Sequence, residues 1–151
     1  MRRKKGFSNV FFILFLFVFA VVTSLTVEFY HIYTVKEYID TELSRALNIA
    51  TDYAMLDEYR MEHISMIDIP TAKNEFNSYL HSEMKLNGSN ERVENGEVVY
   101  TLVIKKLTAE NDPVKFEAVG VVRTKPVLLS SLVPVNIDIP FKVKARNQRY
   151  E

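Results

Sequence analysis

An unbroken stretch of 21 residues without charge, from Phe7 to Val27, lies near the N-terminus and consists mainly of Phe, Leu, Ile and Val. As an α-helix it would be about 31 Å long, close to the ~30 Å hydrocarbon core of a bilayer. A core helix of a soluble protein would carry a polar stripe, and this segment has none. The sequence therefore predicts a transmembrane helix, anchored by Phe11, Phe12, Leu14, Phe15, Phe17 and Val21.

A cleaved secretory signal is the alternative to a permanent anchor. The basic start and the apolar run from Phe7 to Ala20 would suit a signal, with Val18-Phe19-Ala20 as the small-residue cleavage site. The apolar stretch nevertheless continues to Val27 without a turn signal. This continuation favours the anchor.

The charges on either side of the span predict its orientation. Four basic residues at positions 2–5 precede it, whereas the residues that follow are of mixed charge, beginning with Glu28. The positive-inside rule then predicts a cytoplasmic basic leader at 1–6, a membrane helix at 7–27 and an extracytoplasmic domain at 28–151.

The composition argues against several kinds of function. There is no Cys, which excludes disulfides, thiolate metal sites and a cysteine nucleophile. Outside positions 2–5 the chain has 15 basic and 19 acidic residues, so nothing electrostatic favours nucleic acid as a partner. The three His residues lack metal-site spacing, and Ser130 and Ser131 lack a nucleophile elbow. We expect no enzymatic activity, no cofactor and no metal.

After the span, apolar residues recur in steps of three and four, which predicts that the same helix continues as an amphipathic one. No Gly or Pro interrupts the chain between Phe7 and Ile69. The apolar stripe either packs against the rest of the domain or forms a coiled-coil stalk with identical or related helices, which would make a homo-oligomer. Its residues are Ile32, Val35, Ile39, Leu43, Ala46, Ala50 and Tyr53.

The remaining sequence predicts a second helix and then a sheet. Asp68-Ile69-Pro70-Thr71 is typical of a helix start, and the helical spacing continues to about Met84. Asn95-Gly96, between Arg92-Val93-Glu94 and the stretch from Glu97 to Ile104, predicts a hairpin, and alternation in 136–145 around Pro140 predicts an edge strand. The fold class is therefore α+β: a long N-terminal helix, a second helix and a C-terminal antiparallel sheet of three to four strands.

This arrangement resembles that of type IV pilin-like proteins, most closely the TadE-like minor pilins, or pseudopilins, of the tight-adherence (Tad) pilus systems. The resemblance is carried by Arg2-Arg3-Lys4-Lys5-Gly6-Phe7, the helix behind it, and the segment Val35-Lys36-Glu37-Tyr38-Ile39-Asp40. In that family a leader peptidase cuts after the glycine, which implies that Gly6 and Phe7 are the processing residues. The family has Glu at the fifth residue of the mature chain, where this chain has Phe11. An unprocessed signal anchor is the alternative.

The resemblance implies a structural role in a bacterial cell membrane. The protein would be an assembly component of a pilus or related secretion apparatus, with the membrane and other pilin-like or secretion-apparatus proteins as partners. The alternative function is a single-span extracytoplasmic ligand-binding or sensor module. The short basic leader offers no output domain for a signal, so we favour the assembly role.

Overall fold

The protein, seen in a computed structural model, is described at residues 5–56, 66–111, 114–128 and 135–145. Within these residues two helices precede an antiparallel sheet whose strands lie in chain order. The predicted α+β class is confirmed. The elements are α1 (Lys5–Tyr53), α2 (Ile69–Ser82), β1 (Glu91–Glu94), β2 (Glu97–Asn111), β3 (Val114–Thr124) and β4 (Ile137–Lys144).

Helix α1 contains 49 residues and continues from the apolar segment into the domain, as predicted. At 1.5 Å per residue it is about 73 Å long. Its first half contacts no other element, while its second half packs on α2, β3 and β4. The absence of Gly and Pro after Gly6 explains the continuity, since nothing removes a backbone hydrogen bond.

Helix α2 begins where its capping residues predict and ends slightly earlier than expected. The Asp68 carboxylate accepts a hydrogen bond from the Thr71 amide at 3.2 Å, and Pro70 lies in the first turn. The helix ends at Ser82 rather than near Met84 because Lys85 adopts a left-handed φ of 54°. This turn lets the Leu86 amide donate back to the Leu80 carbonyl at 3.1 Å, a helix-terminating motif.

The sheet contains both features predicted for it. Asn95 and Gly96 have φ values of 53° and 83° and form the β1–β2 hairpin turn. Strand β4 is an edge strand in which Ile139, Phe141 and Val143 are buried and alternate with exposed residues. Strand β2 is longer than its apolar run indicates, because it pairs with β3 as far as Asn111.

The core lies between the two helices and the sheet. Phe76 of α2 and Phe116 of β3 are fully buried and meet edge to face, with ring centroids 5.8 Å apart. A hydrogen bond of 2.9 Å from the Tyr79 hydroxyl to the Glu42 carboxylate joins α2 to α1. Burial raises the pKa of Tyr79 above its ordinary value.

Gly120, in the centre of β3, is required by the close approach of its neighbours. A Cβ at this position would lie 2.1 Å from the Val103 carbonyl oxygen and 2.7 Å from the Phe141 ring. We expect Gly120→Ala to lower the free energy of unfolding by roughly 3 kcal/mol, at the upper end for overpacking. Denaturant unfolding of the full chain in detergent measures this. Gly88→Ala is the matched control, because nothing lies within 4 Å of that position. Equal losses in the two variants would contradict the argument.

Candidate membrane-anchoring site

From Asn9 to Val27, the apolar part of α1 exposes side chains around the whole helix. The six predicted anchor residues have between 43% and 66% of their surface accessible: Phe11, Phe12, Leu14, Phe15, Phe17 and Val21. The most apolar window of the helix has a mean hydropathy of 2.8, and none of it is buried. Soluble monomers rarely expose apolar patches larger than a few hundred Å². By length and composition, α1 is the one helix among the described residues that could cross a membrane.

The polar side chains near the end of this apolar segment are satisfied within the helix itself. The hydroxyls of Thr23, Ser24 and Thr26 donate to backbone carbonyls four residues earlier, at 2.9, 2.9 and 2.8 Å. An unsatisfied hydroxyl in hydrocarbon would cost several kcal/mol, and these bonds remove that cost. This end of the segment is therefore compatible with lipid despite these three hydroxyl groups.

The predicted apolar stripe packs against the domain that follows it. Ile39, Leu43, Ala46 and Ala50 are fully buried in the core, and Ile32 and Val35 are partly buried against it. These side chains are consequently covered by the chain's own α2 and sheet. Tyr53 was expected to continue the stripe, but it is 71% exposed. It is part of the last helical turn and points away from the core.

The opposite face of α1 forms an open polar groove of about 730 Å³ with Lys144 of β4. Charges of both signs line it, and Lys36 and Asp40, one helical turn apart, form an ion pair at 2.7 Å. Arg45 pairs with Glu42 at 2.9 Å on the same helix. A groove with mixed charge suits polar contacts with another protein surface better than it suits an anion or a cation.

Glu28, the first residue after the apolar segment, is a buried carboxylate that reaches across the fold. It is only 6% exposed, and it accepts hydrogen bonds from the backbone amides of Val127 at 3.0 Å and Leu128 at 2.5 Å. These partners follow strand β3 and lie about a hundred positions further along the chain. Sequence reasoning treated Glu28 only as a flanking charge, and no local pattern marks a contact of this separation.

The proposed processing residues, Gly6 and Phe7, lie at the start of α1, where the backbone is already helical. Phe11 is one turn further on and is 59% exposed. Glutamate at that position, as in the pilin-like family, would place a charge within the apolar segment. The position instead contributes to the continuous apolar surface.

Among the described residues, the polar side chains with chemical potential make separate local contacts. Asp138 faces outward and accepts a hydrogen bond of 2.8 Å from Arg123, which lowers the pKa of Asp138. His81 contacts the Leu86 carbonyl at 3.0 Å. His63, Ser130 and Ser131 lie outside the described residues. Within the part of the chain that the structure describes, no three His or acidic residues are grouped as metal ligands would be.

Comparison with known proteins gives no match: no family model, no curated protein and no solved structure is similar enough to this chain to identify a relative.

Proposed function

We propose that this protein is a single-pass membrane component of a pilus or related secretion apparatus, similar to the TadE-like minor pilins, and that it acts through protein contacts rather than catalysis. The apolar half of α1 crosses the bacterial cell membrane with the basic leader in the cytoplasm. The domain from residue 28 onward lies outside, where it meets partner proteins.

The observation that supports this proposal is the continuity of α1. A helix that is apolar and uncovered over its first half enters the core of a small α+β domain over its second half. No break separates the two halves, so a partner that binds the membrane helix also fixes the position of the domain. A tethered domain with an independent binding role would require no such rigid connection.

The free surfaces of α1 indicate where partners bind. One face of the second half of α1 is buried in the core. The polar groove on its other face and the surface of the membrane helix remain accessible to partners. Pilin-like partners with their own apolar helices would pack on the second of these surfaces. The groove, with Thr41 near its middle, would receive the polar part of a neighbouring subunit.

Site-specific photocrosslinking in the native host tests this proposal. A photoreactive residue in place of Phe17 reports on the membrane helix, and one in place of Thr41 reports on the groove. We expect adducts with pilin-like or secretion-apparatus proteins from both positions. Asn77, an exposed residue on α2, provides the control position, and its adduct pattern should differ.

Recovery of the chain only as a free monomer, with no such partner at Phe17 or Thr41, would contradict the assembly role. The intact mass of the purified chain separates two versions of the proposal. A chain that starts at Phe7 has been processed as the family resemblance implies. A chain that starts at Met1 retains its signal anchor and belongs to an accessory assembly factor.

A further inference from the structure

The segment that follows β3 presents apolar side chains beside the end of the membrane helix. Val127 and Leu128 are 51% and 46% exposed, and Val135, where the described chain resumes, is 52% exposed. On α1, the neighbours of Glu28 are also apolar and exposed: Val27 by 41% and Phe29 by 78%. Exposed apolar side chains from two distant parts of the chain are therefore close to the contact that Glu28 makes with Val127 and Leu128.

Glu28 fixes this level relative to a bilayer. It directly follows an apolar segment whose length matches the hydrocarbon core, so it lies where the hydrocarbon meets the headgroups. Each headgroup layer is about 5–8 Å thick. The amide of Val127 lies 3.0 Å from the Glu28 carboxylate, which places its backbone within that layer whenever α1 spans the membrane.

The hydrogen bonds of Glu28 also remove the main cost of bringing this segment to the lipid. Pro126 has no backbone N–H, and the amides of Val127 and Leu128 both donate to Glu28. Backbone donors left unpaired at the edge of hydrocarbon would cost several kcal/mol each. With these donors paired, the segment offers mainly its Val and Leu side chains, whose burial is favourable.

We propose that Val127 and Leu128 insert into the interfacial layer of the outer leaflet, and that Glu28 is the positioning residue that holds them there. The domain then contacts the bilayer at two places, the end of α1 and this segment. The occupant of this apolar surface is lipid, because Glu28 holds the segment at the level where the apolar half of α1 ends. The inference rests on the proposed membrane anchoring of α1.

The absence of Cys from the chain allows a direct test with single-cysteine variants carrying a fluorophore. The full chain is placed in phosphatidylcholine–phosphatidylglycerol nanodiscs that contain spin-labelled lipids as quenchers. A label at Leu128→Cys should be quenched at least twofold more by shallow than by deep spin labels. A label at Phe19→Cys should respond most to deep ones. A label at Tyr53→Cys, about 37 Å along α1 from Glu28, should not respond to either.

These labels distinguish failure of the inference from failure of the anchor. A Leu128→Cys label in water with a Phe19→Cys label in lipid would overturn the docking and leave the anchor in place. A Leu128→Cys label shielded from water but not quenched by lipid would also overturn it, because protein rather than lipid would cover the segment. Labels in water at both positions would overturn the anchor itself.

Glu28→Gln tests the positioning role. Loss of the charge should weaken both hydrogen bonds, so that the amides of Val127 and Leu128 exchange hydrogen roughly tenfold faster. Lipid quenching at Leu128 should fall, while quenching at Phe19 is unchanged. Glu37→Gln, at an exposed position on the same helix, is the matched control and should alter neither readout. Unchanged exchange and quenching in Glu28→Gln would overturn the role of Glu28.

Discussion

Replacing both Phe15 and Val18 by arginine should release the protein from membranes while its α+β domain remains folded. Both side chains lie near the middle of the apolar half of α1 and are exposed, by 65% and 51%. An arginine at the centre of a membrane helix costs about 2.5–3.5 kcal/mol on insertion scales. The double variant therefore loses about 6 kcal/mol of insertion free energy, which is a roughly ten-thousandfold change in partition.

Alkaline extraction of membranes and flotation with liposomes measure this change. The unaltered chain should remain with the lipid, and the Phe15→Arg/Val18→Arg variant should appear in the aqueous fraction. The control variant, Thr41→Arg/Tyr53→Arg, carries the same added charge on exposed positions of the same helix. It should stay with the lipid, because both of its positions lie beyond the membrane segment.

The stability of the α+β domain should be unchanged in the arginine variant, because its hydrophobic core contains no residue from the apolar half of α1. The first α1 residue to pack against the core is Ile32. The denaturation midpoint of the variant in detergent should therefore equal that of the unaltered chain. Retention of the double-arginine variant in membranes would contradict the assignment of this segment as a membrane anchor.

The opposite result is expected for Phe76→Ala, which should destabilise the α+β domain and leave the apolar half of α1 in the membrane. Phe76 is fully buried and holds α2 against β3 through its edge-to-face contact with Phe116. Truncation of a buried Phe costs about 3–5 kcal/mol, since it removes apolar contacts and leaves a cavity. Small domains have only about 5–15 kcal/mol of stability in total.

Denaturant unfolding and limited proteolysis in detergent report the loss. We expect a much lower unfolding midpoint for Phe76→Ala and rapid proteolytic cleavage within the α+β domain. The variant should still float with liposomes as the unaltered chain does. Phe29→Ala is the matched control, because the same side chain is removed from a position that is 78% exposed. Its free energy of unfolding should change by no more than about 0.5 kcal/mol. Similar losses in the two variants would contradict the assigned core.

Local chemistry explains why much of this fold was predictable from sequence. A long apolar run without Gly or Pro specifies α1, because every position favours or tolerates helix. Asp68 and Pro70 mark the start of α2. Asn95-Gly96 supplies the positive φ angles that the β1–β2 hairpin turn needs. Each of these signals acts within a few residues, so no knowledge of the tertiary structure is required.

The features that sequence did not reveal depend on residues far apart in the chain. The contact between Glu28 and Val127 joins the end of the membrane segment to the end of β3, and neither end has a motif. The role of Gly120 follows from the positions of Val103 and Phe141 on the neighbouring strands. The outward position of Tyr53 follows from where the core ends, which helical spacing alone does not specify.

If the apolar half of α1 spans a bilayer as proposed, the uninterrupted helix couples its rotation in the membrane to rotation of the domain. A helix without a hinge transmits the angle about its axis as well as its position along that axis, and each residue contributes about 100° and 1.5 Å. The side of the apolar half that faces a neighbour therefore determines which side of the sheet faces that neighbour. One residue inserted between Phe29 and Tyr30 would preserve both halves and turn them out of phase by more than a quarter of a circle. A partner that binds both halves must therefore fit the one rotational setting about the axis of α1 that the helix imposes on them.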